Sequence, residues 1–210
     1  MELAGVVIPD SEICKAATTL AEEASDPFLF NHAMRTYVFG ELVGSKASQN
    51  YDSEVLYLGA ILHDLGLTER FAADDRFELD GADAAAEFLR ERKLPDHKID
   101  LVWDAIALHA TFSIPQRKVP EIALVQVGAG IDVGAVPLEL LTPQLIDEVL
   151  EALPRLDFKT AMLAAMARVV KKKPQSAMLN LMSDVGERLV PGFERINFCD
   201  VVHHAPISES

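Results

Sequence analysis

An apolar run that ends in a histidine and an aspartate constrains this chain more than any other stretch. Residues 58–62 are all apolar or glycine, His63 and Asp64 follow at once, and Gly66 comes two positions later. Runs of this kind are usually buried, so the imidazole and the carboxylate are drawn into the interior with it. Because an unpaired buried charge is costly, the pair needs a partner, and a divalent metal would satisfy both groups. We therefore take His63 and Asp64 as the centre of a candidate metal site.

Helix start signals recur along the chain, whereas strand patterns do not. Asp26 before Pro27 and Thr142 before Pro143 place a capping side chain ahead of a proline, which is typical of a helix N-terminus. The helix that carries the apolar run is expected to begin near Asp52 and to stop at Gly66. No stretch shows sustained alternation of apolar and polar residues. The sequence therefore predicts an all-α fold, a single bundle of about eight or nine helices.

Three regions are expected along the 210 residues. Residues 1–25 form an N-terminal extension and helix, residues 26–190 form the helical domain with the metal site, and residues 191–210 form an irregular C-terminal tail. Half of the residues are hydrophobic and a quarter are charged, so the chain can bury a sizeable core.

The charge balance limits the partners of this protein. The formal net charge is -14, which disfavours nucleic acid and anionic membranes, since both require a basic face. The beginning of the chain lacks the features of a signal peptide, and two cysteines do not make a disulfide framework. We expect a cytoplasmic protein that acts on a small-molecule substrate, with no membrane partner. The apolar helices after Pro137 could pack in the core or form the interface of a homo-oligomer.

Two further residues are candidate partners of the histidine–aspartate pair. His32 lies on the helix that starts at Pro27, where a packed or hydrogen-bonded histidine is the alternative interpretation. Asp132 lies in an otherwise uncharged segment, 127–134, whose glycines would let a neighbour approach closely; the alternative is a residue in a C-terminal turn. Two imidazoles and two carboxylates suit a divalent metal, Zn²⁺ ahead of Fe²⁺ or Mn²⁺. A helical bundle can project such ligands inward.

These motifs, in this order, resemble the HD-domain superfamily of metal-dependent hydrolases. The core of the resemblance is His32 after an asparagine, the stretch 62–68 around His63 and Asp64, and the later Asp132. Four further stretches resemble the cyanamide hydratase branch: 30–37, 76–82, 105–111 and 120–125. The resemblance spans roughly residues 28–135 and implies that the helical bundle is an HD domain.

The resemblance also implies roles for individual residues. The implied metal ligands are His32, His63, Asp64 and Asp132. His109 and Thr111 are implied to line the substrate pocket, so that the candidate catalytic residues are Asp64, His109 and Thr111. Other interpretations stay open: His109 could be a buried histidine bonded to Glu78 or Asp104, and the Thr111 hydroxyl could bond the backbone at a helix end. Arg35 could form a structural salt bridge, or pair with Asp64 or a substrate.

Leu67 departs from a pattern within the superfamily. Many HD phosphohydrolases carry a lysine at this position, which suits a phosphate group. The leucine favours a small uncharged substrate, and we expect a hydratase or hydrolase that adds water to a nitrile or cyanamide-like carbon through a metal-bound hydroxide. Two alternatives remain, an HD-type phosphohydrolase acting on a nucleotide monophosphate and a non-catalytic HD-like module that binds a ligand.

Overall fold

Ten α-helices are present in residues 2–207, the part of the chain that the computed structural model describes. In chain order they are α1 (Glu12–Ala24), α2 (Pro27–Lys46), α3 (Ser53–Leu62), α4 (Phe77–Glu91), α5 (Asp96–Leu108), α6 (Pro120–Val133), α7 (Pro143–Ala152), α8 (Phe158–Lys172), α9 (Met182–Leu189) and α10 (Phe198–His203). The all-α class is confirmed. The expected number was too low, because the tail that we expected to be irregular contains the short helix α10. The side chain of Asn197 caps this helix by accepting a hydrogen bond from the Cys199 N–H.

A small hairpin precedes the helices. Strands β1 (Glu2–Leu3) and β2 (Val6–Val7) pair antiparallel, with Glu2 opposite Val7 and Leu3 opposite Val6. Ala4 and Gly5 make the turn, and both have positive φ, as a tight two-residue hairpin turn requires. Each strand is two residues long, which is too short for any alternating pattern to show in the sequence.

The predicted start signals coincide with helix starts. Pro27 and Pro143 are the first residues of α2 and α7, and the Thr142 side chain accepts a hydrogen bond from the Leu145 N–H. At α3, the Asp52 side chain accepts from the N–H groups of Glu54 and Val55.

The end of α3 differs from the expectation for Gly66. The helix ends at Leu62, His63 continues with right-handed helical backbone, and Gly66 lies in a short 3₁₀-helix, Leu65–Leu67. The backbone of Gly66 is not in the left-handed region, so this glycine is not a helix cap. A Cβ at Gly66 would overlap the carbonyl oxygen of Phe77. The glycine is needed because the start of α4 packs directly against the turn that follows the metal-site residues.

A close crossing of α2 and α6 brings two of the candidate residues together. A Cβ at Gly128 on α6 would overlap the carbonyl oxygen of Thr36 on α2, and a Cβ at Gly40 would lie 2.9 Å from the carbonyl oxygen of Leu124. The small residues of 127–134 therefore admit a neighbouring backbone, as one of our two interpretations predicted. Since α2 carries His32 and α6 carries Asp132, this crossing sets the distance between them.

The helices after α7 form a second apolar core. Phe158, Met162 and Val170 of α8 pack with Met182 of α9 against a surface of the main bundle formed by Phe28 and three further apolar residues, Leu29, Leu67 and Phe77. Helix α8 thus covers the side of the bundle on which α2 and the turn after α3 meet. Within residues 2–207, no helix combines the length and the apolar character needed to cross a membrane.

Candidate metal centre

Five candidate residues converge from four parts of the bundle. His32 lies on α2, His63 and Asp64 follow α3, His109 follows α5, and Asp132 lies near the end of α6. Each is at most 8% exposed. Residues so polar are rarely this buried without partners, so the geometry between them decides what the site can do.

Four side-chain groups face one another at the centre. The Nε2 atoms of His32 and His63 lie 3.2 Å apart. The Oδ2 atom of Asp64 lies 3.2 Å from Nε2 of His63 and 3.5 Å from Nε2 of His32. Nε2 of His109 approaches from the other side, 3.6 Å from Oδ1 of Asp64.

The second ring nitrogen of each histidine determines which atoms face the centre. Nδ1 of His63 lies 2.7 Å from the carbonyl oxygen of Ala60, and Nδ1 of His109 lies 2.7 Å from that of Ile106. A carbonyl oxygen only accepts hydrogen bonds, so both Nδ1 atoms carry the proton. Nδ1 of His32 likewise donates to a carboxylate oxygen 2.6 Å away. In the neutral rings, all three Nε2 atoms therefore present lone pairs to Asp64 and to each other.

This donor set fits a divalent metal. The Nε2 atoms of His32 and His63 lie 3.2 Å apart, and their lone pairs face each other and the Asp64 carboxylate. These groups repel one another unless a cation or a shared proton lies between them. His32, His63 and Asp64 each offer one ligand atom, and these atoms lie within 4.8 Å of one another. Imidazole nitrogens oriented by a hydrogen bond at the opposite ring nitrogen are the usual protein ligands of such metals. Residues 2–207 thus contain a three-residue candidate site, with His109 beside it.

Asp132 lies outside this group of three, and its role as a direct ligand stays a prediction. Its Oδ2 accepts from Nδ1 of His32 and from Nη2 of Arg35 at 2.7 Å, while its Oδ1 accepts from Nε of Arg35 at 2.9 Å and from Nη1 of Arg155 at 2.7 Å. Two hydrogen bonds at each oxygen use the accepting capacity of a carboxylate. In this arrangement Asp132 orients His32 from behind rather than facing the metal position.

Arg35 is therefore a structural residue, one of the two roles left open for it. Its side chain is fully buried, and besides the two bonds to Asp132 it donates from Nη1 to the carbonyl oxygens of Leu153 and Pro154, at 3.0 and 3.2 Å. The guanidinium ties α2 and α6 to the segment between α7 and α8.

The neighbouring charges perturb the pKa values of the site. Burial would raise the pKa of Asp64, but the surrounding histidines, His63 first, outweigh it and hold that pKa below its usual range. Burial lowers the pKa of His109 to about 4, assisted by His63, so the His109 ring is neutral at pH 7. Burial also lowers the pKa of His32. For His63, the Asp64 carboxylate outweighs burial and raises the pKa. Positive charge is favoured at the centre next to Asp64.

A cavity of about 670 Å³ opens from the centre. His32, Asp64 and His109 line its inner end, and Phe112, which lies 65% exposed, lines its rim. Thr111 does not line it: the Thr111 hydroxyl donates to the carbonyl oxygen of Leu108 at 2.8 Å, which is the backbone role that we had left open.

Two site residues were missed in the sequence. Arg155 bonds both the side chain and the carbonyl oxygen of Asp132, and its guanidinium stacks on the Phe158 ring, which in turn lies 4.9 Å from the His32 ring, between centroids. Neither residue belongs to a motif. The available signal was Asp132 itself, because a lone carboxylate in an uncharged segment requires cationic partners.

The comparison with known families agrees with this geometry. The model of the HD domain family matches residues 29–150, more than half of the chain. The chain belongs to the HD domain family. The match includes α2, α3, α5 and α6, which carry the site, and ends before α8. HD domains are generally metal-dependent hydrolases and bind divalent metals, in accord with the cluster of His32, His63 and Asp64. A comparison with curated proteins gives no match.

Proposed function

We propose that this HD-domain protein adds water to a carbon–nitrogen multiple bond, with a nitrile or cyanamide-like group as the reacting part of its substrate. The proposal is more specific than the family, which supports a metal-dependent hydrolase. It depends on the charges and proton acceptors that the chain itself places around the site.

The observation that carries the proposal is that the two arginines beside the site are already engaged, and that Lys159, the other cation of the cavity lining, is exposed to solvent. Arg35 and Arg155 both bind the Asp132 carboxylate, and Arg35 is fully buried behind it. Sites that bind phosphate groups combine a metal ion with free arginine or lysine side chains, or with backbone N–H groups, aimed at the phosphate oxygens. Leu67 also lines the cavity and adds an apolar group to its wall. A neutral reacting group fits these surroundings better than a phosphoester does.

A divalent metal held by His32, His63 and Asp64 would supply Lewis-acid polarisation and lower the pKa of water. His109 provides the proton transfer that hydration of a nitrile needs. Its Nε2 is unprotonated at pH 7, because Nδ1 carries the ring proton and the pKa is lowered to about 4. Nε2 can accept one proton from water as oxygen bonds to the nitrile carbon. The same proton then passes to the nitrogen, giving an imidic acid, or an isourea from cyanamide. Transfer of its O–H proton to the nitrogen completes the amide or the urea. Asp64 Oδ1, 3.6 Å from Nε2, stabilises the protonated ring between the two transfers.

The test begins with metal analysis of the purified protein and continues with a substrate panel. The panel contains nitriles, isonitriles, cyanamide and nucleotide monophosphates, with amide, urea and phosphate measured separately. We expect amide or urea formation that needs metal and is abolished in His63→Ala. His97→Ala is the matched control, because His97 is exposed at the start of α5 and its loss should leave activity intact.

A second variant tests the proton transfer. His109→Gln is expected to keep its metal and to lose about 10²–10⁴-fold in kcat, the usual contribution of a general acid–base group. Release of phosphate from nucleotides without amide formation would replace the proposal with the phosphohydrolase alternative. A protein that binds no metal on titration would leave only a ligand-binding module.

A further inference from the structure

The cavity is much larger than the reacting group that we propose. At roughly 30 Å³ for each water-sized group, cyanamide, with three heavy atoms, occupies about 90 Å³. The cavity volume is about 670 Å³, within the range of pockets that enclose whole drug-sized ligands. A three-atom substrate would leave most of this space to water against an apolar wall, which is unfavourable.

The wall away from the metal end is apolar. Helix α8 supplies Phe158, Met162, Leu163 and Met166, spaced so that they share one side of the helix. The loop after α6 and helix α7 supply the opposite wall, with Leu138, Ile146 and Leu150. Leu163 is 47% exposed at the rim, so an apolar surface continues from the inner end to solvent.

The polar groups along this wall do not supply a second charged subsite inside the cavity. Gln126 accepts a hydrogen bond from the Gln116 side chain. Arg155 is held by Asp132 and by the ring of Phe158. Lys159 lines the cavity from the first turn of α8, where it is exposed to solvent. A ligand in this cavity therefore meets polar groups at the metal end and mainly carbon elsewhere.

We propose that the substrate carries a large apolar body, an alkyl chain or aryl ring system, which lies along α8 while its nitrile-like end reaches His32, Asp64 and His109. This inference rests on the proposed function for the identity of the reacting end, and on the cavity for the body. The whole of the α8 wall lies beyond residues 29–150, the part matched by the HD domain family, whereas the opposite wall lies within it. The α8 side of the apolar wall is thus contributed by the chain beyond the matched domain.

The test is a chain-length series measured by binding as well as by turnover. Acetonitrile, butyronitrile, hexanenitrile and octanenitrile are titrated calorimetrically into the zinc-loaded full-length protein, with the corresponding amides as product analogues. Each buried methylene contributes about 0.8 kcal/mol, which corresponds to about fourfold in Kd. We therefore expect Kd to fall by about 250-fold over four added methylenes, and KM to fall with it.

A matched pair of variants locates the binding site. Leu163 and Leu189 are both exposed on helices, at 47% and 42%, but only Leu163 lines the cavity. Leu163→Gln is expected to weaken octanenitrile binding about tenfold and to leave acetonitrile unchanged, whereas Leu189→Gln should affect neither. Unaltered far-UV circular dichroism of both variants would establish that they fold.

The outcomes separate this inference from the proposed function. The inference of an apolar body is wrong if Kd does not change with chain length. It is also wrong if Leu163→Gln shows the same chain-length dependence as the wild type, even if nitriles are turned over. Nitriles and amides that bind with the expected dependence but are never converted support the apolar body and overturn the proposed reaction.

Discussion

The Asp132 carboxylate should contribute more to the stability of the fold than to metal binding. Asp132→Asn keeps the shape of the side chain, but turns one acceptor into an N–H₂ group that must face a donor of Arg35, Arg155 or His32. Arg35 is fully buried and makes two of its four hydrogen bonds to this carboxylate. Removing one partner of a buried ion pair costs about 3–5 kcal/mol, because the remaining charge is left uncompensated. The metal-free protein should lose this amount of its free energy of unfolding.

Urea unfolding of the chelator-treated protein measures the lost free energy, and thermal unfolding measures the shift in Tm. For a chain of this size, 1 kcal/mol corresponds to about 2–4 °C in Tm, so Tm should fall by about 6–20 °C. Asp184→Asn is the matched control. Asp184 pairs with Arg195 at 3.1 Å on the surface, where an ion pair contributes little, and its unfolding midpoint should not move.

A double variant tests the cause of the loss. Arg35→Met added to Asp132→Asn should recover part of the stability, because it removes the unpaired buried charge. If metal-free Asp132→Asn unfolds within about 1 kcal/mol of the wild type, the carboxylate does not hold the two arginines as described, and a direct role at the metal becomes the better explanation.

Three other perturbations have defined outcomes. Gly128→Ala, whose Cβ would overlap backbone, should lower the free energy of unfolding in urea by about 2–3 kcal/mol. Gly59→Ala, whose Cβ meets only side-chain atoms, should lower it by less than about 1 kcal/mol. Equal losses would contradict the close crossing of α2 and α6. Iodoacetamide at pH 8 should label the native protein once, at the exposed Cys199, because Cys14 is buried and burial raises its pKa to about 11. If mass spectrometry detects two labels on the native protein, Cys14 is not buried as described. Phe158→Ala should lower stability by about 3–5 kcal/mol, the usual cost of removing a buried aromatic ring, and a thermal midpoint equal to the wild type would mean that α8 does not cover the site.

The sequence predicted the centre of the site better than its surroundings. His63 and Asp64 could be recognised because an apolar run forces them inward, and the HD resemblance added His32 from another helix. The position of Asp132 was anticipated, but its contacts were not. Whether a carboxylate faces a metal or a guanidinium depends on Arg155, which is 23 residues further along the chain and is brought back by the turn before α8. No local pattern encodes such a contact.

Glycines showed the same limit in the fold. We expected Gly66 to stop a helix, whereas for the segment 127–134 around Gly128 the sequence left open a close approach or a C-terminal turn. The structure uses both for the approach of another backbone, which is a property of the packed bundle. The large apolar wall of α8 was foreseen only as a core or oligomer surface, because periodicity shows that a helix has an apolar face but not what the face meets.

The ring orientation of the three histidines has a consequence for how the site tolerates mutation. His63 and His109 are each held by a main-chain carbonyl three residues earlier, an atom that every amino acid at positions 60 and 106 would supply. His32 is held by a side chain, Asp132. Random mutagenesis should therefore find the ring orientation robust at His63 and His109 and vulnerable at His32. Position 132 is where a single base change could turn the candidate ligand His32 away while leaving His32, His63 and Asp64 in place.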